Sequence, residues 1–223
     1  MSYGRTFQHW REAAGETWAG YVRHDFVRAL GDGSLPRAAF LHYLVQDYIF
    51  LLHFSRAWAL AMTKAETVAQ MRTCAATAKA LIDDELRLHV RTCAAAGIDE
   101  AALVEAEERA ENLAYTRFVL DAGHSGDFMD LLAALAPCVL GYGEIGARLT
   151  AQAGGTPYAE WIGTYGGAEY QALCADVGAL IDGAAERRLG PAPQGSPRWP
   201  QLCRTFTTAT RLEIGFWDMG LRP

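Results

Sequence analysis

Apolar residues recur at spacings of three and four along almost the whole chain, and no stretch sustains the alternation of a half-buried strand. Spacings near 3.6 put such residues on one helix face, so the pattern predicts an all-helical protein. The 223 residues suit one large domain spanning 1–223, long enough to bury a substantial core. Glycine, proline and capping residues place the helix ends. A first helix is expected from about Thr6 to Leu30, stopped by Gly31-Asp32-Gly33. Ser34-Leu35-Pro36 opens a second, from Arg37 to Lys64, and a third covers Thr67 to Ala96. Asp99 caps a fourth reaching Ala122, and Ser125 opens a fifth ending near Gly154-Gly155. Thr156-Pro157 starts a short helix through Ile162, and another spans Ala168 to Leu189. The last runs from Pro200 to Met219, after a proline-rich loop from Gly190 to Pro200.

The net charge is −6 and no lysine- or arginine-rich run occurs, which disfavours binding driven by phosphate neutralisation. No uninterrupted apolar stretch reaches the roughly 18–20 residues of a membrane span, and Met1 to Trp10 carries no signal-like segment. The expectation is a cytoplasmic protein with neither a membrane nor a nucleic acid as partner. The five cysteines, Cys74, Cys93, Cys138, Cys174 and Cys203, are odd in number and form no close pair, so they read as free thiols.

Chemistry-bearing residues stand inside apolar runs. Pro137 to Gly146 lies in a run that begins at Leu131. There Cys138 and Tyr142, four residues apart, share a helix face, and Glu144 follows two further on. Such a cysteine is either a small inert hydrophobe or a nucleophile, and the second reading needs a neighbour that lowers its pKa. Asp47 precedes Phe50 by three residues, with Phe54 one turn beyond. It is either a partly exposed member of a salt bridge or a buried, paired carboxylate. Glu213, within Arg211 to Trp217, is either ion-paired or held neutral among apolar groups as a proton donor. Glu85 and His89 could share a metal on one helix face. Carboxylate-bridged di-iron bundles, however, bring Glu-x-x-His from each of two helices. This single pair, differently spaced, reads as structural support, and no metal is expected. Tyr115 and Tyr165 are aromatics whose hydroxyls need partners when buried.

The set as a whole resembles the TenA family, the thiaminase II or aminopyrimidine aminohydrolase proteins of thiamin salvage. The resemblance spans nearly the whole chain. It is carried by Gln46-Asp47-Tyr48, Glu85 with His89, and Pro137-Cys138 with Tyr142-Gly143-Glu144-Ile145-Gly146. It continues through Trp161-Ile162 with Tyr165, and closes with Glu213 before Phe216-Trp217-Asp218. It implies an all-α, haem-oxygenase-like multi-helix bundle, a homotetramer (or homodimer), enclosing an aminopyrimidine site without a cofactor. Cys138 stands where the cysteine-containing branch keeps its nucleophile, while another branch relies on a glutamate pair. Asp47 matches the carboxylate that holds the ring's 4-amino group, and Glu213 the acid facing the other ring nitrogen. Tyr142 and Tyr165 match pocket tyrosines near the thiol and leaving group. Tyr115 matches another, and Glu85 lines the same space. Phe50 stands where many members have tyrosine, keeping the stacking face without the hydroxyl. The implied reaction is hydrolysis of 4-amino-5-aminomethyl-2-methylpyrimidine, or of thiamin, to the hydroxymethylpyrimidine through a covalent cysteine adduct. Rival readings are a PqqC-like oxidase, a haem-binding protein with His24 or His89 as axial ligand, a di-metal oxygenase, and a non-enzymatic regulator. Direct DNA contact is disfavoured by the acidic charge and the lack of a helix-turn-helix signature.

Overall fold

The computed structural model describes residues 3–152 and 155–223. Within them the chain forms twelve α-helices and no strand. In order these are α1 (Arg5–Ala14), α2 (Glu16–Val22), α3 (Asp25–Asp32), α4 (Arg37–Lys64), α5 (Val68–Ala80) and α6 (Leu86–Ala94). They continue with α7 (Glu100–Glu105), α8 (Ala110–Ser125), α9 (Phe128–Gln152), α10 (Ala159–Gly166), α11 (Ala168–Leu189) and α12 (Trp199–Gly220). A π-helical turn, Leu81–Glu85, joins α5 to α6, and a 3₁₀ turn, Pro193–Gly195, precedes α12.

Helix α9 is the axis. It is apolar nearly all round, which suits only an enclosed helix, and α4, α8, α10, α11 and α12 all pack on it. By length and mean hydropathy it could cross a membrane, although charged residues interrupt its apolar run, and 94% of its apolar window is buried inside the bundle. Its glycines let neighbours approach closely. A Cβ on Gly143 would sit 2.5 Å from Cys174 Sγ, and one on Gly146 would sit 2.6 Å from the backbone nitrogen of Gly166. The second clash is with backbone, so α10 could not then keep its distance from α9. Gly146→Ala should lower stability by about 1–3 kcal/mol, the usual cost of overpacking. A melting curve unchanged from wild type would show that this close approach is dispensable.

The expected first helix is three helices. Gly15 turns the chain at φ 51°, a left-handed conformation that glycine adopts without strain. The reason lies on α12. Trp10 and Trp18 would be about 12 Å apart along a straight helix, yet both rings pack on Phe206, at 5.7 and 5.5 Å. The second break falls at His24, whose Nδ1 accepts from Phe26 N and caps α3. The expected helix from Asp99 to Ala122 is also broken, between Glu105 and Ala110. Buried Gln46 holds the break, donating to Glu107 O (2.9 Å) and accepting from Arg109 N (2.9 Å). This clamp lays α8 against α4.

Ser125 ends α8 rather than opening α9, its hydroxyl donating back to Asp121 O. Asp127 opens α9 instead, accepting from Met129 N. Helix α10 starts later than expected and runs on past Gly163 to Gly166, which buries Tyr165 completely. The ends expected for the helices of Arg37–Lys64 and Ala168–Leu189 are those observed. The expected end near Gly154 lies outside the described residues. The loop from Gly190 to Pro200 is pinned at its far end, where Arg198 binds Asp127 and Asp130. It lies at the start of α12, about 21 Å along the helix from Glu213.

Candidate active site

Successive turns of α4 present Tyr43, Asp47 and Phe50 to the interior. The π turn before α6 brings Glu85 inward, followed by His89 one turn on. Such turns insert one residue into the helical spiral and recur at functional sites. Tyr115 arrives from α8, Cys138 and Tyr142 from α9, Trp161 and Tyr165 from α10, and Glu213, Phe216 and Trp217 from α12. All eight residues singled out as catalytic or binding candidates in the sequence are buried.

The polar groups form two connected sets. In the first, His89 Nδ1 lies 2.7 Å from the Glu85 carbonyl oxygen. A carbonyl only accepts, so Nδ1 carries a hydrogen. His89 Nε2 lies 2.6 Å from Asp47 Oδ2, which places a second proton between imidazole and carboxylate. Tyr43 OH donates to the same oxygen at 2.9 Å and receives Trp161 Nε1–H at 3.3 Å. Tyr142 OH stands 3.4 Å from Tyr43 OH. The Tyr142 ring packs on Tyr165 (5.0 Å), whose hydroxyl donates to Glu85 Oε2 at 3.0 Å. In the second set, Tyr115 OH donates to Glu213 Oε1 at 2.8 Å, and Phe50 packs between Tyr115 (5.1 Å) and Phe216 (5.5 Å).

Each of the three carboxylates has one oxygen tied to the wall. The other, Asp47 Oδ1, Glu85 Oε1 or Glu213 Oε2, has no hydrogen-bond partner among the described residues and is not sealed off by protein. Asp47, Glu85 and Glu213 retain 3%, 6% and 2% of their surface, and Cys138 retains 8%, while Tyr43, His89, Tyr115 and Tyr165 retain none. The residual surface thus falls on the acids and the thiol, while the groups that hold them are enclosed. A buried acceptor with an open lone pair is costly unless something fills it.

Burial lifts Glu213 from 4.5 to about 8, and the nearby Asp47 adds to the rise, against the lowering effect of the Tyr115 hydrogen bond. Glu85 rises to about 8 for the same leading reason, aided by Asp47 and opposed by Tyr165. Both are carboxylic acids at neutral pH. Burial, then Glu213, Glu85 and Asp47, push the Cys138 thiol well above its ordinary range. That reverses the sequence expectation for a nucleophile, a thiol lowered by a positive neighbour. In the free protein Cys138 is a thiol.

Other expectations resolve differently. Glu144 faces away, accepting from Arg11 (3.0 Å) and Trp18 Nε1 (3.3 Å). Glu85 and His89 direct their side chains to different partners, Tyr165 and Asp47. Both His89 nitrogens are engaged, and so are those of His24, with Phe26 N and Asp218. Neither ring offers a haem iron a free nitrogen. Tyr43 was not identified from sequence, although it lies four residues before Asp47 on the same face.

The fold and the site together define an all-helical bundle protein with an enclosed site of one thiol, three carboxyl groups and several phenols. The chain belongs to the TENA/THI-4/PQQC family, whose model matches residues 11–223. It is 60% identical to a solved structure described as a TenA family transcription regulator from a Silicibacter species, with a TM-score of 0.97 over 99% of this chain and 98% of that one. An uncharacterized protein of Haemophilus influenzae is 38% identical, over 92% of this chain and 93% of its own length. The aminopyrimidine aminohydrolase of Halalkalibacterium halodurans is 33% identical, over 94% of this chain and 92% of its own.

Proposed function

We propose that this protein hydrolyses 4-amino-5-aminomethyl-2-methylpyrimidine to its 5-hydroxymethyl counterpart and ammonia, in thiamin salvage, with thiamin as the alternative substrate. The supporting observation is the trio of carboxyl oxygens left open around a thiol inside an aromatic shell. That pattern suits a flat heterocycle with polar edges and apolar faces. Family membership, and the printed name of the Halalkalibacterium halodurans relative, support the same reading.

In the proposed complex, Asp47 receives the 4-amino group on Oδ1, while His89 and Tyr43 hold Oδ2. Phe50 and Phe216 offer apolar faces to the ring. Glu213 faces the ring nitrogen opposite. Because both Cys138 and Glu213 are protonated at rest, the first step is addition of S–H across a ring C=N bond. Sulfur bonds to carbon, Glu213 gives its proton to nitrogen, and the thiol proton replaces it on Glu213. The acid so makes an unionised thiol competent, since negative charge never accumulates on the ring. Glu85, protonated at rest, gives its proton to the exocyclic amine, which leaves as ammonia on the Tyr142–Tyr165 side as the ring N–H electrons drive it out. The ring N–H proton, carried by water, restores the Glu85 acid. Water adds to the methylene carbon, the C–S bond breaks, and the thiol returns. The sum is amine plus water to alcohol plus ammonia, and no cofactor enters.

The homotetramer implied by the resemblance, and residues 1–223 as a single functional domain, belong to the same proposal. Purified protein supplied with each compound is expected to release hydroxymethylpyrimidine, read by chromatography. Folded protein that converts neither compound would falsify this reading.

A further inference from the structure

The hydrogen atoms on the Tyr43 side of the site can be counted. A phenol has one hydrogen to give and two lone pairs to receive with. Asp47 Oδ2 faces His89 Nε2 at 2.6 Å with a proton already between them, so it has none for Tyr43. Tyr43 therefore gives its hydrogen to Asp47. One of its lone pairs takes Trp161 N–H, a group that can only donate. What remains toward Tyr142, at 3.4 Å, is a lone pair. In this contact Tyr142 must be the donor, which leaves its oxygen only lone pairs to offer the open space. Tyr165 is polarised the same way, since its hydrogen goes to Glu85 Oε2.

We infer that Tyr43 is a specificity-setting positioning residue: it fixes Tyr142 as a hydrogen-bond acceptor, and so favours leaving groups that carry an N–H. This deepens the aminopyrimidine reading and rests on it. A primary amine, neutral or protonated, supplies the donor that Tyr142 demands. The thiazolium nitrogen of thiamin is fully substituted and has no hydrogen to give. A site built around a hydrogen bond rejects the partner that cannot make it, because its own polar group is then left unpaired. Without the Tyr43 hydroxyl, the Tyr142 hydrogen is free to rotate into the pocket and meet the amine hydrogens.

The test compares kcat/KM for the aminomethylpyrimidine and for thiamin in wild type, Tyr43→Phe, Tyr142→Phe and the double variant. If thiamin is not turned over, its inhibition constant against the amine takes the place of its rate. Tyr43→Phe should lower the amine-to-thiamin ratio about tenfold. Tyr142→Phe should do the same, and the double variant should fall no further, since both remove one device. Mere loosening of the site would lower both values in parallel and leave the ratio alone, which would overturn the inference. An unchanged ratio in Tyr142→Phe overturns it even if Tyr43→Phe does not fold, and so do effects that multiply in the double variant. Wild type inactive on both compounds overturns the reading beneath it, whereas active wild type with an unchanged ratio overturns this inference alone.

Discussion

Replacing Cys138 with alanine is expected to abolish hydroxymethylpyrimidine release, by about a thousandfold or more, while the bundle stays folded. The nucleophile splits one displacement into two easier steps, and nothing else in the site can take that part. The phenols around it hold their protons, as do Glu85 and Glu213 up to about pH 8, and Asp47 is tied to Tyr43 and His89. Stability should change by about 1 kcal/mol, since one sulfur is removed beside space that is already open. Substrate binding should persist, because Asp47, Phe50 and Glu213 remain. The same picture makes Cys138 sluggish toward alkylating reagents in the free protein, for it is buried, unionised and flanked by carboxyl groups. Cys203, more exposed than the other four cysteines, should react sooner. Undiminished turnover by the alanine variant would move the chemistry off the thiol and onto the acids.

How far the sequence could be read differs between fold and site. Helical periodicity identified the class, and the bounds of α4 and α11 follow from local punctuation. What it missed depends on distant partners. Gly15 breaks a helix and Gly163 does not, though glycine inside a helix costs about 1 kcal/mol in either place. The difference is Phe206, which draws Trp10 and Trp18 together, and Tyr142 with Trp161, which bury Tyr165 within the same helix. Gln46 breaks the chain at Glu107 from 61 positions away, beyond any local window. For the site, order and separation were enough to collect eight residues that the fold buries together. Polarity was not legible. Tyr43 matters through Tyr142, 99 residues on, and Trp161, 118 residues on. The thiol's environment reads opposite to expectation because the acids beside it come from α4, the π turn and α12, all distant in sequence.

Glu213→Gln should separate function from stability more sharply than any other change. The carboxyl titrates at about 8 in the folded protein against an ordinary 4.5. Between those values the native state holds a proton that the unfolded chain has released, so stability falls as pH rises across that window. For one such group the slope is about 1.4 kcal/mol per pH unit, and it vanishes above the folded value. Glutamine occupies the same space, still accepts from Tyr115 and does not titrate. The variant should therefore match wild type near pH 5 and exceed it progressively toward pH 8, in melting temperature or denaturant midpoint. Glu85 keeps its own slope in both proteins and cancels from the difference. Turnover should go the other way. Wild-type kcat/KM should decline above about pH 8 as the donor form is lost, while the glutamine variant stays flat and about a hundredfold or more lower. A variant that gains stability with pH yet keeps wild-type turnover would leave Glu213 a buried acid without a catalytic role. One that loses both would mean that the carboxyl holds the pocket together. Only a gain in stability with loss of turnover fits an acid kept protonated, at the expense of the fold, in order to give its proton to the ring.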